Sequence, residues 1–424
     1  MKLSELFLLF WVLVSAHTLL SGQNEPNWIK PNNQRVSTSV GLQLWSLYTT
    51  GGQVFDQSTQ SWAPTSDRLN FMIRRTRLGF KGMPFSRLKY NLTLAIDHVG
   101  NDDYDGATGS GNNASFPSVS LWNAFVQWQV IAQKETLYFT FGYFAPQFHR
   151  ESFTSALSVS SMEKAMSQNY ARRHLTGTGP GRAAGITMGG LIHVAHMPLA
   201  LSYDLGVFAP TFGSSTAGQQ AAPVFTGRAV IHLGQPEFEK YKLGAGFNTF
   251  GKRKGISVGI AASYQGTTDR FEQSTGIGLD LLANYGPINI KGDYTLMQRN
   301  DRDEQGAFAV QSATWNAALS WNVPFGKYLL EPTLMVYGFN GPTDALAQTR
   351  AKQVGSFSGK EQAWDFGINW YLHPKRLKLQ LHYTLRQGDA GEAGNTAKVN
   401  QYFNQSGQAI QRGDWLAFGI VARF

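Results

Sequence analysis

The chain has 424 residues, of which 42% are hydrophobic, 13% aromatic and only 15% charged, with a mean hydropathy of -0.25. That aromatic load excludes a disordered polymer, and the lack of cysteine excludes disulfide frameworks, thiolate metal sites and cysteine catalysis. Lys and Arg number 37 against 28 Asp and Glu, and the resulting +9 suits nucleic acid, anionic lipid or an anionic solute without choosing among them.

Lys2 precedes an apolar run from Leu6 to Ala16, which has the length of a signal-peptide core and is too short to span a membrane. Residues 1–22 are therefore expected to be an export signal, with small residues at Ala16, Ser21 and Gly22 offering cleavage sites. Beyond it no apolar run reaches the roughly 18 residues of a transmembrane helix. The dominant period is two instead. Leu88, Tyr90, Leu92, Leu94 and Ile96 share one face, while Lys89, Asn91, Thr93, Ala95 and Asp97 share the other. Ser120, Trp122, Ala124, Val126, Trp128 and Val130 alternate with Leu121, Asn123, Phe125, Gln127 and Gln129. Leu377, Leu379, Leu381, Tyr383 and Leu385 oppose Lys378, Gln380, His382, Thr384 and Arg386.

Sixteen strands are predicted, near 38–49, 68–82, 88–98, 119–131, 136–145, 182–193, 199–209, 223–233, 255–265, 275–285, 288–299, 311–323, 327–338, 361–373, 377–387 and 412–424. No helix-period segment is available to cover their apolar faces, so those faces must meet lipid, which admits strands only as a closed barrel. Connections carrying Pro and Gly, such as Met83-Pro84-Phe85-Ser86 and Gly286-Pro287, alternate with long polar ones at 99–118, 339–360 and 388–411. The stretch 234–254 is read as a long periplasmic connection, because a strand from Lys242 to Phe250 would break the even count. The fold expected is all-β: a 16-stranded antiparallel transmembrane β-barrel over 38–424, with short periplasmic turns and long outer loops, preceded by a periplasmic segment at 23–37. Its expected place is the outer membrane of a Gram-negative bacterium. Leu416, Phe418, Ile420, Ala422 and the terminal Phe424 alternate with small or polar residues and resemble the signal read by the barrel assembly machinery. Trp45, Tyr48, Trp128, Tyr143, Tyr285, Trp321, Trp370 and Tyr371 are placed in the interfacial girdles.

Several short segments resemble the family of phosphate-selective porins O and P. Arg74-Arg75-Thr76-Arg77-Leu78-Gly79-Phe80-Lys81-Gly82 is similar to its second strand. Phe141-Gly142-Tyr143-Phe144-Ala145-Pro146-Gln147-Phe148, followed by Glu151, resembles the fifth strand entering the third loop. Arg182-Ala183-Ala184-Gly185-Ile186 is similar to the strand leaving that loop, and Gly286-Pro287-Ile288 to a late periplasmic turn. The resemblance implies a trimeric porin whose third loop, about 146–181, folds inward to narrow a water-filled channel. Such a channel passes small solutes by passive diffusion, with a preference for anions such as phosphate.

Arginine suits that role, since its planar fork donates two parallel bonds and stays charged. Arg74 and Arg75 correspond to the family's paired arginines. On a regular strand they face opposite ways, so both reach the lumen only through a bulge. Arg74 shares parity with Asn70 and Thr76 and is expected to be the most influential charge. Arg77 on the same strand, Arg150 at the start of the loop, and Lys164, Arg172, Arg173 and Arg182 towards its end are further candidates, and Asp97 corresponds to an acidic lumen position. Lys164 is the only lysine between Phe148 and Arg182, so general anion preference is expected rather than phosphate specificity.

The partners expected are small anionic solutes, outer-membrane lipid and two further copies of the chain, with no nucleic acid, no cofactor and no metal. Asn101-Asp102-Asp103-Tyr104-Asp105-Gly106 resembles the start of a calcium loop, but Asn112 stands where such a loop wants Glu. His193 and His196 have no partner ligand, and Gly177-Thr178-Gly179-Pro180-Gly181 lacks the strand and helix of a phosphate-binding turn. Two alternatives remain open from sequence: an adhesin or anchor, and a barrel hydrolase using His98 with Asp102, Asp103 and Asp105.

Overall fold

The structure is a computed structural model, and it describes residues 36–106, 118–210, 221–405 and 408–424. The expected signal segment and almost all of 23–37 lie outside the described residues. So does Asn112 of the calcium-like loop.

Sixteen strands form the barrel. In chain order β1 to β8 are Ser37–Thr50, Arg68–Phe85, Leu88–Val99, Ser120–Gln129, Tyr138–Phe144, Ala183–His193, Leu199–Ala209 and Val224–Gly234. β9 to β16 are Gly255–Gln265, Gln273–Tyr285, Ile288–Asp303, Gly306–Trp321, Tyr328–Asn340, Lys360–His373, Leu377–Asp389 and Asp414–Arg423. A short piece, Val323–Phe325, continues β12 after a break at Asn322. Each strand pairs antiparallel with its neighbours in sequence, and β1 pairs with both β2 and β16, which closes the sheet. Closure leaves no strand edge in hydrocarbon, where an unpaired peptide group would cost several kcal/mol.

The side chains are arranged inside out. Ile256, Val258 and Ile260 on β9, Ile277, Leu279 and Leu281 on β10, and Ile290, Tyr294 and Leu296 on β11 are exposed. Their inward neighbours Ser257, Asp280, Asn284, Lys291, Asp293 and Thr295 are buried. A strand of alternating residues thus turns its apolar set to lipid and its polar set to the lumen. Tyr285 and Trp321 are exposed as girdle residues should be, but Trp45 and Tyr371 are not in the girdle. Trp45 points inward and stacks on Trp415 at 6.1 Å, and Tyr371 donates from its hydroxyl to Glu331 at 2.7 Å. Both sit on the wet side of strands whose other side is already apolar, which residue type alone does not reveal.

The lumen is crossed by the segment between β5 and β6, residues 145–182. It carries helices α1 (Arg150–Phe153) and α2 (Gln168–Thr176). Its carbonyls at Val159, Ser160 and Ser161 accept hydrogen bonds from Lys378 Nζ at 2.7 Å, Asn369 Nδ2 at 2.5 Å and Gln380 Nε2 at 3.1 Å. On the opposite wall Lys291 Nζ donates to Glu151 at 2.5 Å, and Arg150 Nε to Asp280 at 2.8 Å. The loop therefore spans the barrel from β10 and β11 to β14 and β15.

The stretch 235–254 holds none of the named strands and does connect β8 to β9, as its polar parity requires. It also does something its sequence does not announce: it turns into the lumen beneath the loop. Ala245 forms a parallel bridge with Thr154, Gly244 N donates to Gln147 Oε1 at 3.0 Å, and Glu237 pairs with Arg150. Phe247 is buried among Ala165, Met166, Leu282 and Met335. The connection between β11 and β12, by contrast, is an outer turn of two residues, Glu304 and Gln305, so not every outer connection is long.

Gly142 on β5 has φ +139, and a Cβ there would stand 2.1 Å from the Ala124 carbonyl of β4. Gly142→Ala forces backbone apart in the strand that launches the loop, at a strain of about 1–3 kcal/mol. The expected outcome is a clear fall in the yield of folded barrel, measured as the fraction whose electrophoretic mobility changes on boiling in SDS. An undiminished yield contradicts the pairing.

Candidate functional site

The site is built on an irregularity in β2. Opposite β1, Gln43 faces Arg75 and Leu44 faces Ile73, so Arg74 is an extra residue in a β-bulge. The bulge flips the parity of everything after it. Asn70, Met72 and Arg74 face inward before it, and Arg75, Arg77 and Gly79 after it; all three of the latter line lumen cavities. Thr76, expected to share the inward face of Arg74, is shifted off it. Both arginines are 7% exposed, and both meet one carboxylate from the loop. Arg75 Nη2 donates to both oxygens of Glu163 at 2.6 and 2.8 Å, and Arg74 Nη2 lies 2.6 Å from Oε2. Arg75 Nη1 donates to Gln43 Oε1 at 2.8 Å, and Arg74 Nη1 to His98 Nε2 at 2.6 Å.

Arg77 makes a two-pronged pair with Asp97 on β3, through Nη1 to Oδ1 and through Nη2 to Oδ2 at 2.8 Å. A second bulge, in β4, makes Trp122 the extra residue, since Thr93 faces Asn123 while Leu94 faces Leu121. The indole of Trp122 turns to the lumen, with the guanidinium of Arg77 at 4.1 Å and that of Arg182 at 3.5 Å from its ring centre. Such stacking holds the two arginine planes in fixed positions without consuming their charge.

Three loop cations stand differently. Lys164 Nζ and Arg172 Nη2 both donate to the carbonyl of Ser152, at 3.1 and 2.9 Å, and Arg182 Nε donates to Asn123 Oδ1 at 3.2 Å. None of the three forms an ion pair with a carboxylate among the described residues. Burial, then the nearby Arg172, push the Lys164 ammonium well below its usual range. Burial and Arg75 lower Arg172 to about 10, and burial with Arg172 and Arg77 lowers Arg182. Mutual repulsion of this kind is relieved when an anion arrives.

The remaining candidates lie elsewhere. Arg173, one residue along α2 from Arg172, points away and stacks near Phe357 at 5.8 Å. Arg150, in α1 of the loop, is held between Asp280 on the barrel wall and Glu237 of the connection. Glu163 was not anticipated, although it is the single acid in residues 152–181 and so the only loop carboxylate free to reach across. Trp122 and Trp45 left no signal in the strand pattern, because a bulge and an inverted girdle residue look like ordinary alternation.

Arg74, Arg75, Arg77, Lys164, Arg172 and Arg182 line one cavity of about 290 Å³ with Asp97 and Glu163, six cations against two carboxylates. Its floor, Phe153, Ser155 and Leu157, is shared with a periplasmic vestibule of about 530 Å³. Lys242, Lys375, Arg376, Lys378 and Arg423 line that vestibule, and no carboxylate does among the described residues. The lining is basic from the cavity beside the loop through to the vestibule.

A model of the family described as phosphate-selective porin O and P matches residues 53–410. The chain belongs to that family. No curated protein matches the sequence. Among solved structures, the outer membrane channel DcaP of Acinetobacter baumannii aligns with a TM-score of 0.54 at 13% identity, covering 92% of this chain and 97% of that one. An anion-selective porin from Comamonas acidovorans aligns at 0.53 and 11% identity, covering 92% and 100%. OprB of Pseudomonas putida aligns at 0.56 and 9% identity, covering 92% and 94%. At these identities the likeness is one of fold. The protein is thus a porin, an outer-membrane channel of a Gram-negative bacterium.

Burial works against charge on the porin's Glu163, but Arg74 and Arg75 outweigh it and hold the carboxyl down at about 2. A carboxyl lowered in the folded state contributes its pairing above its ordinary value near 4.5, and loses it only as pH falls through the lowered one. The contribution of Glu163 to ion selectivity, read as the difference between wild type and Glu163→Gln, is therefore expected to stay level from about pH 7 to about pH 4.5 and to shift only below about pH 3. Reversal potentials across a salt gradient check this, and a midpoint near pH 4.5 would show that the arginines do not hold the carboxylate.

Proposed function

We propose that the porin carries small anions, phosphate among them, by passive diffusion, and that the rate and sign of selectivity are set in the constriction. The observation that carries this reading is the charge balance there: six cations against two carboxylates, with Lys164, Arg172 and Arg182 outside any described ion pair. An ion entering a narrow pore gives up hydration and needs replacement donors, and guanidinium forks supply them to phosphate or carboxylate oxygens. The basic vestibule then keeps the potential favourable to an anion on its way to the periplasm. In this reading the loop cations outrank Arg74, whose charge is shared with Arg75 against Glu163.

The same reading makes residues 145–182 the constriction loop, 1–22 an export signal and the outward C-terminal set an assembly signal. It also makes the native unit a trimer in outer-membrane lipid, built by the barrel assembly machinery. No catalytic role is assigned. His98 is tied to Arg74, Asp102 to Arg68 and Asp105 to Asn70, so the groups a hydrolase would use act as separate structural partners.

In planar bilayers the purified porin should give open, ohmic steps and a reversal potential of anion sign. Arg172→Ala and Arg182→Ala should each lower the anion-to-cation permeability ratio about threefold to tenfold, the effect of roughly 1 kcal/mol in a partly dehydrated pore. Arg173→Ala should leave it at the wild-type value, since that side chain lies outside the cavity. Cation selectivity of the wild type, or equal effects of all three variants, would overturn the assignment.

A further inference from the structure

We propose that Arg74 and Arg75 form a receptor for a planar carboxylate that the chain fills with its own Glu163, so that Glu163 is an internal counter-anion competing with solute and setting which anions the pore holds. The proposal rests on the reading of the pore as an anion path and adds the class of solute the constriction discriminates.

The geometry is that of a bound ligand. Both oxygens of Glu163 are engaged by Arg75 Nη2, Oε2 also lies 2.6 Å from Arg74 Nη2, and the amide of Lys164 donates to Oε1 at 2.8 Å. The side chain is 6% exposed. Arg75 is steadied from behind by Gln43, and Arg74 by His98 and by the indole of Trp45, 5.1 Å away. The two forks are therefore fixed before any anion is considered. Adjacent guanidiniums repel, and a carboxylate between them lowers that cost.

Glu163 is not what fastens the loop. That work is spread over Glu151 with Lys291, Arg150 with Asp280, and the barrel-wall donors to residues 159–161. The internal carboxylate can be withdrawn while these anchors stay. Its cavity also holds Lys164, Arg172 and Arg182. A solute with one carboxylate engages the loop cations and faces Glu163. A small dicarboxylate brings a second planar group of the same shape, which can take the place of Glu163 on the forks. Chloride has no such geometry, and phosphate, which guanidinium forks also accept, has no second group to span from the loop cations to the forks.

The test compares wild type, Glu163→Gln and Glu163→Asp in planar bilayers, with succinate, acetate and phosphate as blockers of chloride current. Glu163→Gln removes the counter-charge from the receptor and keeps the side chain's size, leaving a neutral amide that an incoming carboxylate displaces more readily. Block by succinate should tighten about tenfold, the effect of one or two charge-assisted hydrogen bonds, and block by acetate and phosphate by less. Anion preference should rise, and Glu163→Asp should tighten succinate block less than Glu163→Gln does, because a counter-anion remains. A second variant covers the event that Glu163→Gln does not assemble. Gln43→Glu sets another internal carboxylate against Arg75, and anion preference should then fall. Unchanged succinate block in Glu163→Gln overturns the proposal, as does equal tightening for all three blockers, which is the mark of a long-range charge and not a receptor. Large, noisy steps with lost selectivity overturn it too, by making Glu163 a fastener of the loop, and so does an unchanged Gln43→Glu. Failure of the anion path reads differently: the wild type itself would then be cation-selective.

Discussion

Everything in this molecule follows from one demand, that backbone polar groups inside hydrocarbon be satisfied within the chain. The pairing of Ser37–Thr50 with Asp414–Arg423, residues more than 360 positions apart, is where the demand is met. Once the sheet is closed, each strand has an outer face that must be apolar and an inner face that must be wet. Sixteen strands enclose more space than side chains alone can fill. The residues that fill it come from a loop and a connection; the loop is buried along most of its length and the connection at Tyr241, Phe247 and Arg253, because both enter the sheet's interior.

A lumen lined by charges then needs its own accounting. Isolated charges removed from water are costly, and most here are paired: Arg77 with Asp97, Lys291 with Glu151, Arg228 and Arg150 with Asp280. The pairing is uneven by design of the sequence. Excess cation collects where the loop crosses the wall of β2 to β4, and there Arg182 is held by an aromatic ring and Lys164 and Arg172 by a backbone carbonyl in place of carboxylates. Groups satisfied in this weaker way keep their charge without a paired carboxylate among the described residues.

The barrel was legible in the sequence because period two is a local property, and each of the sixteen strands stands within a few residues of its predicted place. The stretch 234–254 adds no strand although it carries buried apolar residues, because Tyr241 packs on Tyr138 and Leu191 and Phe247 packs on Ala165 and Met166 of the loop. The site was less legible. The need for a bulge at Arg74 could be stated in advance, since two adjacent inward arginines require one, but its consequence for Thr76 and Arg77 could not be followed without the register against β1. Arg172 and Arg173 look alike in sequence, and only the rotation of α2 separates them. Glu163 was invisible because its meaning lies in a contact across 88 residues.

The bridge between Thr154 and Ala245 has a mechanical consequence. One of these residues enters the barrel from its outer mouth and the other from its inner mouth, and Arg150 is tied at once to Gly246 and Glu237 below and to Asp280 on the wall. The narrowing is thus clamped like a diaphragm seized from both rims, and displacing either arm drags the other. An insert held in that way resists a change of width, because both arms must give way together.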